Sequence, residues 1–297
     1  MSETATPLFD RVAIVGIGLI GSSLARALTH YGVARQVVCA DRSPGHCAKA
    51  MELGIVEQAT TDLAEALEGA ELVVLATPVG AFAEVGEALG PLLRPGMIVT
   101  DVGSVKQAVL RDVGPHIPDG VHLIPGHPVA GTEHSGPEAG FATLFQGRWC
   151  IVTPPPGANE AAVEKVVEMW RRIGSTVELM DASHHDRVLA ITSHLPHLIA
   201  YTIVGTASDL EDDTKSEVIK FSAGGFRDFT RIAASDPVMW RDVFLNNREA
   251  VLEILQRFTE DLTALQRAIR WGEGQQLQDH FTKTRAIRRG IIDAKQA

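Results

Sequence analysis

The sequence predicts an α/β protein: a doubly wound parallel sheet followed by an all-helical segment. Three observations carry that expectation. Short apolar runs alternate with helical patterns through the first half, and strand–helix–strand repetition implies parallel pairing through right-handed crossovers. Those runs are apolar throughout instead of alternating, as strands covered on both faces are. Beyond about residue 181 the strand signals stop and helical periodicity takes over.

Residues 11–15 form the first strand and run directly into Gly16. Helical spacing at 22–31 follows, then a strand at 36–40 that ends at Asp41. Helical stretches at 46–53, 63–67 and 82–89 accompany strands at 71–76 and 97–101. Strands at 121–124 and 149–152, a loop at Pro154-Pro155-Pro156-Gly157, a helix at 160–172 and a strand at 176–180 complete a first domain, 1–181. The helical remainder, 182–297, has breaks at 209–214, 223–225, 236–237 and 272–274. In its last long helix Val251, Leu255, Phe258, Leu262, Leu265 and Ile269 make a heptad seam. The seam suits either an internal core helix or a subunit interface, and a helical domain of about 115 residues favours the interface.

At 297 residues and 45% apolar content, each of two domains can bury its own core. Twenty-seven Lys+Arg against 37 Asp+Glu leave a net charge of −10 without a basic block, which argues against nucleic-acid and anionic-membrane partners. An anionic small-molecule substrate would then need a few placed cations. Cys39, Cys47 and Cys150 have no CxxC spacing, which fits reduced cytoplasmic thiols better than disulfides or zinc. No basic start precedes an apolar stretch at the N-terminus, and no apolar run reaches ~18 residues. A cytoplasmic protein without a membrane span is expected.

The first chemical motif is Gly16-Ile17-Gly18-Leu19-Ile20-Gly21, a G-x-G-x-x-G between a strand and a helix. Gly16 permits the tight turn, Gly18 lets backbone amides approach a pyrophosphate, and Gly21 allows close helix–strand packing. The helix N-terminus adds free N–H groups and partial positive charge. Asp41 ends the next strand, where a carboxylate accepts hydrogen bonds from a free ribose 2′-hydroxyl. It would repel a 2′-phosphate by about 4 kcal/mol per unit charge at ~4 Å and an effective dielectric of ~20. NAD is therefore expected over NADP, although Arg42 beside Asp41 could accommodate the extra phosphate. Thr77-Pro78 ends the third strand on the same crevice.

Three further segments look unlike packing sequence: Asp101-Val-Gly-Ser104-Val-Lys106, Gly126-His127-Pro-Val-Ala-Gly131-Thr132-Glu133, and Ser222-Ala-Gly224-Gly-Phe-Arg227-Asp228-Phe-Thr-Arg231. His127 and Ser104 are both expected at strand ends that open beside the glycine turn, where a hydride-transfer site needs its base. His184, His185, His194 and His197 lack a second ligand group at metal spacing. They read as solvated helix faces and hydrogen-bonded interior histidines. The acidic run 209–213 lacks the glycine of a calcium loop and reads as a solvated connection.

These blocks, with Ser193-His-Leu-Pro-His197 and Asp236-Pro-Val-Met-Trp240-Arg, resemble the TyrA family, the prephenate and arogenate (cyclohexadienyl) dehydrogenases of tyrosine synthesis. The likeness covers most of residues 11–250. It implies a Rossmann-type α/β domain followed by an all-α dimerisation domain, hence a homodimer, with NAD as cofactor. It implies that His127 hydrogen-bonds the substrate's ring hydroxyl and assists hydride transfer, that Ser104 shares that hydroxyl, and that Arg231 holds the ring carboxylate. The resemblance also places Thr132, Glu133, Ser193, His197, Gly224 and Trp240 around the substrate, with Arg227 and Asp228 in a neighbouring charged network. Asp101 is expected at the cofactor, and it or Glu133 would help orient the reacting groups. An imidazole with the ordinary pKa near ~6.5 suits the proton transfer. Glu133 would favour the ammonium of arogenate, so both substrates are expected. Because the first strand begins near residue 11 and the chain ends at Ala297, neither a fused chorismate mutase nor an ACT domain is expected.

Two other readings use the same glycine turn. A 2-hydroxyacid or imine dehydrogenase would release no CO2. A silent dinucleotide sensor would have no use for Ser104, His127 and Arg231 together.

Overall fold

The computed structural model describes residues 6–209 and 224–293, which divide into two compact units, Met1–Arg248 and Glu249–Ala297. The first unit is organised by a six-stranded sheet made of β1 (Phe9–Val15), β2 (Ala34–Ala40), β3 (Gln58–Thr60), β4 (Leu72–Leu75), β5 (Ile98–Asp101) and β6 (His122–Leu123). The strands are ordered β3-β2-β1-β4-β5-β6 and every pair is parallel. The order reverses between β1 and β4, whose ends Val15 and Leu75 stand in register. A reversal of this kind opens the ligand crevice of a doubly wound sheet.

Strand residues alternate between two cores. Val12, Ile14, Val37 and Val74 face α1 (Leu19–His30) and α6 (Glu160–Arg172), where Leu24, Leu28, Val166 and Trp170 cover them. Ala13, Val15, Val38 and Val73 face the opposite way, toward Phe82 of α4 (Phe82–Leu89) and Val109 of α5 (Lys106–Asp112). Each fully buried Val, Leu or Ile contributes roughly 1.5–3 kcal/mol, so both faces must be apolar and no alternation survives in the sequence. Ser43 caps α2 (Pro44–Glu52), Asp62 caps α3 (Leu63–Leu67) and Asn159 caps α6, each accepting a first-turn N–H.

A second, three-stranded sheet holds β7 (Gly126–Pro128), β8 (Trp149–Val152) and β9 (Thr176–Leu179). Here the structure corrects the sequence expectation. The strands at 149–152 and 176–180 do not extend the parallel sheet. β7 pairs antiparallel with β8, and β8 pairs parallel with β9. His127 consequently lies within a strand, not past the end of one. The reason is local: β6 has only two residues, and Gly126 turns its N–H to Asp101 Oδ1. β3 and α5 also went unmarked, the first because three residues carry no periodicity.

The helical part of this unit comprises α7 (Ala182–Leu189), a π-helical turn at Ala190–His194, α8 (Leu195–Ser208), α9 (Gly224–Thr230), a 3-10 turn at Arg231–Ala234 and α10 (Pro237–Asn246). Pro196 has no N–H to give to the carbonyl four residues back. The ladder widens there, and Leu195 N–H reaches Ala190 O. Trp240 and Val243 of α10 join the core beneath α4 and α5. The run Ala182–Ser208 is long and apolar enough, by composition, to span a membrane. Its polar side chains His185, Asp186 and His194 are nevertheless tied by hydrogen bonds to other elements of the fold. The second unit consists of α11 (Arg248–Trp271) and α12 (Gly274–Asp293). Most of the acidic run, 210–213, and Ser222 lie outside the described residues.

Candidate active site

At the switch point, the glycine turn has the shape a dinucleotide phosphate requires. Gly16 has φ +97°, and a Cβ there would meet Ala76 O at 2.7 Å. A Cβ on Gly21 would meet Gly16 O at 2.1 Å, whereas one on Gly18 would meet nothing within 4 Å. The turn is tight inside and open at Gly18, the position that must admit a phosphate. Gly18 begins α1 without a side-chain cap, so the first-turn amides of Leu19 and Ile20 face outward. Ile17 departs from expectation: its N–H donates to Asp41 Oδ2 at 2.9 Å and is not left for a phosphate. Asp41 Oδ1 accepts Ser43 N–H at 2.9 Å, and each carboxylate oxygen keeps a second lone pair for a ribose hydroxyl. Arg42 is exposed beside it. Thr77 Oγ1 is buried with no partner among the described residues, next to exposed Pro78. An open glycine cradle, an uncapped helix, a held carboxylate and an orphan hydroxyl all fit a dinucleotide.

Asp101 does not belong to that set. It is fully buried, forms an ion pair with fully buried Lys106, and accepts the N–H groups of Gly103 and Gly126. With its acceptors spent inside the fold it cannot reach a cofactor. It acts as a pin. Lys106 Nζ also donates to Gly126 O, so the Ser104 turn is locked onto the strand that carries His127. Ser104 is half-buried on that turn, and His127 is 8% exposed on the strand it is pinned to.

His127 Nδ1 lies 2.8 Å from His185 Nε2, and His185 Nδ1 lies 2.8 Å from Asp186 Oδ1. Asp186 also accepts the Lys106 N–H (2.8 Å) and the Gln107 N–H (2.9 Å), closing the start of α5. Burial pushes the His127 pKa well below the ordinary histidine value, and the neighbouring basic groups of His185, Lys106 and His194 push it the same way. The imidazole is therefore neutral at pH 7, which corrects the expectation of an unperturbed group. His194 is buried, its Nδ1 accepting from Asn247 Nδ2 at 3.1 Å, and its pKa is lowered to about 4, chiefly by burial.

A run of contacts leads on from there. His194 meets Trp240 edge-on with ring centroids 6.0 Å apart, and His197 stacks on Trp240 at 3.6 Å. His197 Nδ1 donates to Ser193 O at 2.9 Å, leaving Nε2 as its acceptor. Burial lowers the His197 pKa, and the Arg231 charge lowers it further. Arg231 Nη1 reaches Glu133 Oε2 at 3.3 Å. The structure thus pairs Arg231 with Glu133 and stacks His197 on Trp240, with the Arg231 charge felt at His197. Thr132 is exposed on the Glu133 loop, and Gly224 opens α9. Arg227 and Asp228 are highly exposed, 3.6 Å apart, and pair only with each other among the described residues.

Sequence reasoning missed the support of this site. It took His185 for part of a histidine cluster and did not single out Asp186 or Asn247. The available signal was spacing: His185 and Asp186 fall at helical intervals from Ala182 and Leu189, the other buried positions of α7.

Two family models match this chain: the nucleotide-binding domain of prephenate dehydrogenase over residues 24–179 and its dimerization domain over 181–283. The cyclohexadienyl dehydrogenase of Zymomonas mobilis is 41% identical over 281 residues, covering 95% of this chain and 96% of its own. The prephenate dehydrogenase of Bacillus subtilis is 29% identical over 95% of this chain and 76% of its own. Among solved structures, prephenate dehydrogenase from A. aeolicus, in complex with hydroxyphenyl propionate and NAD+, superposes with a TM-score of 0.88. It is 34% identical and covers 95% of this chain and 98% of its own. Arogenate dehydrogenase from Synechocystis superposes at 0.78 with 28% identity, covering 94% and 98%.

Proposed function

This chain belongs to the prephenate dehydrogenase family, and we propose that it oxidatively decarboxylates prephenate to 4-hydroxyphenylpyruvate in tyrosine biosynthesis, accepting arogenate as well. One observation carries the proposal. A neutral imidazole, His127, is anchored through Nδ1 and lies in the same unit as an open dinucleotide turn and an exposed guanidinium, Arg231.

The residues of the glycine turn and Asp41 would hold NAD+, which supplies the acceptor for the hydride leaving substrate C4. His127 Nε2 takes the 4-hydroxyl proton as that oxygen becomes a carbonyl. Loss of CO2 leaves a phenolate, to which the same nitrogen can return the proton, so the protein handles one proton and keeps none. Ser104 hydrogen-bonds the hydroxyl and fixes its direction. Arg231 grips the ring carboxylate and so aims C4. Trp240, His197, Ser193, Thr132 and Gly224 bound the substrate.

With purified protein, prephenate and NAD+ should give NADH and CO2 in equal amounts. NADH from small hydroxy acids without CO2 would favour the 2-hydroxyacid reading, and no turnover at all would favour a sensor. Arg231→Ala should act mainly on KM. The side chain is 61% exposed, so it is worth a charged hydrogen bond of ~1.5–3 kcal/mol and not a buried ion pair, a rise in KM of about 10–150-fold. An unaltered KM would put the carboxylate elsewhere. Glu133→Gln should lower the arogenate preference, measured as the ratio of the two kcat/KM values, by about fivefold, the worth of one solvated charge at ~4 Å.

Functionally we divide the chain near residue 181, with dinucleotide binding before it and substrate binding and subunit pairing after it. The seam of α11 supports a homodimer: Leu262 is 53% exposed and Ile269 67% exposed in the single chain. Three free cysteines support residence in the cytoplasm.

A further inference from the structure

We propose that His185 and Asp186 are positioning residues that set the tautomer of His127, presenting its Nε2 as a bare lone pair toward the substrate hydroxyl. The inference rests on the reading of His127 as the proton acceptor and specifies which nitrogen accepts and why.

Proton positions follow from the fixed end of the chain of contacts. Asp186 is held by two backbone donors, Lys106 N–H on Oδ1 and Gln107 N–H on Oδ2. A carboxylate only accepts, so the contact from Oδ1 to His185 requires a proton on His185 Nδ1. A neutral imidazole with Nδ1 protonated has a bare Nε2. That nitrogen lies 2.8 Å from His127 Nδ1, so His127 must be the donor. Its Nε2 then carries the lone pair, and it has no partner among the described residues. Every hydrogen bond in the chain points one way because the chain ends on a carboxylate. When His127 gains a proton it already donates to a bare nitrogen, so nothing in the chain needs to turn over. The orienting logic is that of a base held by a third group.

Both rings are neutral. Burial lowers the pKa of His185, with Lys106 acting in the same sense and Asp186 and Asp101 against it. His127 faces the titratable groups His185, Lys106 and His194, and its strand lies against Cys150 of β8. Asp186 additionally closes the start of α5, so replacing it would confuse positioning with folding. His185 is the cleaner position.

Two measurements test the proposal. In wild-type protein labelled with 15N histidine, without ligands at pH 7.5, both His127 and His185 should be Nδ1–H tautomers with non-protonated Nε2. Single replacements of each histidine assign the signals. A protonated Nε2 on His127 overturns the proposal whether or not the protein oxidises prephenate, and failure to oxidise prephenate with both tautomers as expected would instead refute the functional reading. In kinetics, His185→Gln still offers an amide oxygen to the His127 Nδ1–H and should keep kcat within about tenfold. His185→Leu offers none and should lose about 10²-fold or more in kcat, with KM changed by less than about threefold. Equal kcat in the two variants, or a loss confined to KM, would overturn the positioning role.

Discussion

Replacing His127 with Asn is expected to lower kcat by roughly 10²–10⁴-fold while substrate KM changes little. Asn can satisfy His185 by hydrogen bonding, but it cannot take the hydroxyl proton. The loss therefore falls on the chemical step. Near-normal turnover would remove His127 from the mechanism. The wild-type pH profile provides an independent check. The active form is the neutral imidazole, so activity is lost as pH falls through the His127 pKa. Burial, together with Lys106, His185 and His194, holds that pKa well below 6.5. kcat/KM should accordingly stay level through the usual histidine range and decline only at more acidic pH. An acid limb centred at or above 6.5 would contradict the environment described for this ring.

Lys106→Met should be the most destabilising single change among the residues considered. Asp101 and Lys106 are both fully buried. Removing the ammonium leaves the Asp101 carboxylate without a countercharge and takes a donor from Gly126 O. Breaking a buried pair in this way costs about 3–5 kcal/mol. For a unit of this size that lowers Tm by roughly 10 °C. Thermal unfolding measures it directly. Adding Asp101→Asn to Lys106→Met should recover part of the loss, because the stranded charge is gone. A Tm within ~2 °C of wild type for Lys106→Met alone would show that the pin between the Ser104 turn and β7 carries no weight. Function should suffer beyond stability, since the same pin joins the turn that carries Ser104 to the strand that carries His127.

What was legible in the sequence was local. The strands at 11–15, 36–40 and 71–76 were visible because burial on both faces leaves uninterrupted apolar runs, and the parallel order was implied by the helices between them. Residues 63–67, 82–89 and 160–172 matched the observed helices to the residue, since polar and apolar residues segregate at helical spacing. The glycine turn was legible because steric demands at Gly16 and Gly21 admit one residue type. His127 and Arg231 stood out as polar residues within glycine-rich blocks.

The remainder depended on partners distant in the chain. Whether 149–152 joins the parallel sheet or pairs with His127's strand is decided by hydrogen bonds, and apolar content is blind to pairing. Asp101 looked available at a strand end, yet Lys106 and two backbone amides consume it. The Asp186–His185–His127 chain joins a helix to a strand 58 residues away, so no local pattern records it.

The sequence by itself determined the elements, the dinucleotide turn and the kinds of chemical groups present, because these follow from steric and solvation preferences of neighbouring residues. Only the tertiary structure decided which of those groups are spent on each other and which remain to act. Charge, proton position and pKa depend on distances of a few ångströms between residues that the chain order keeps far apart.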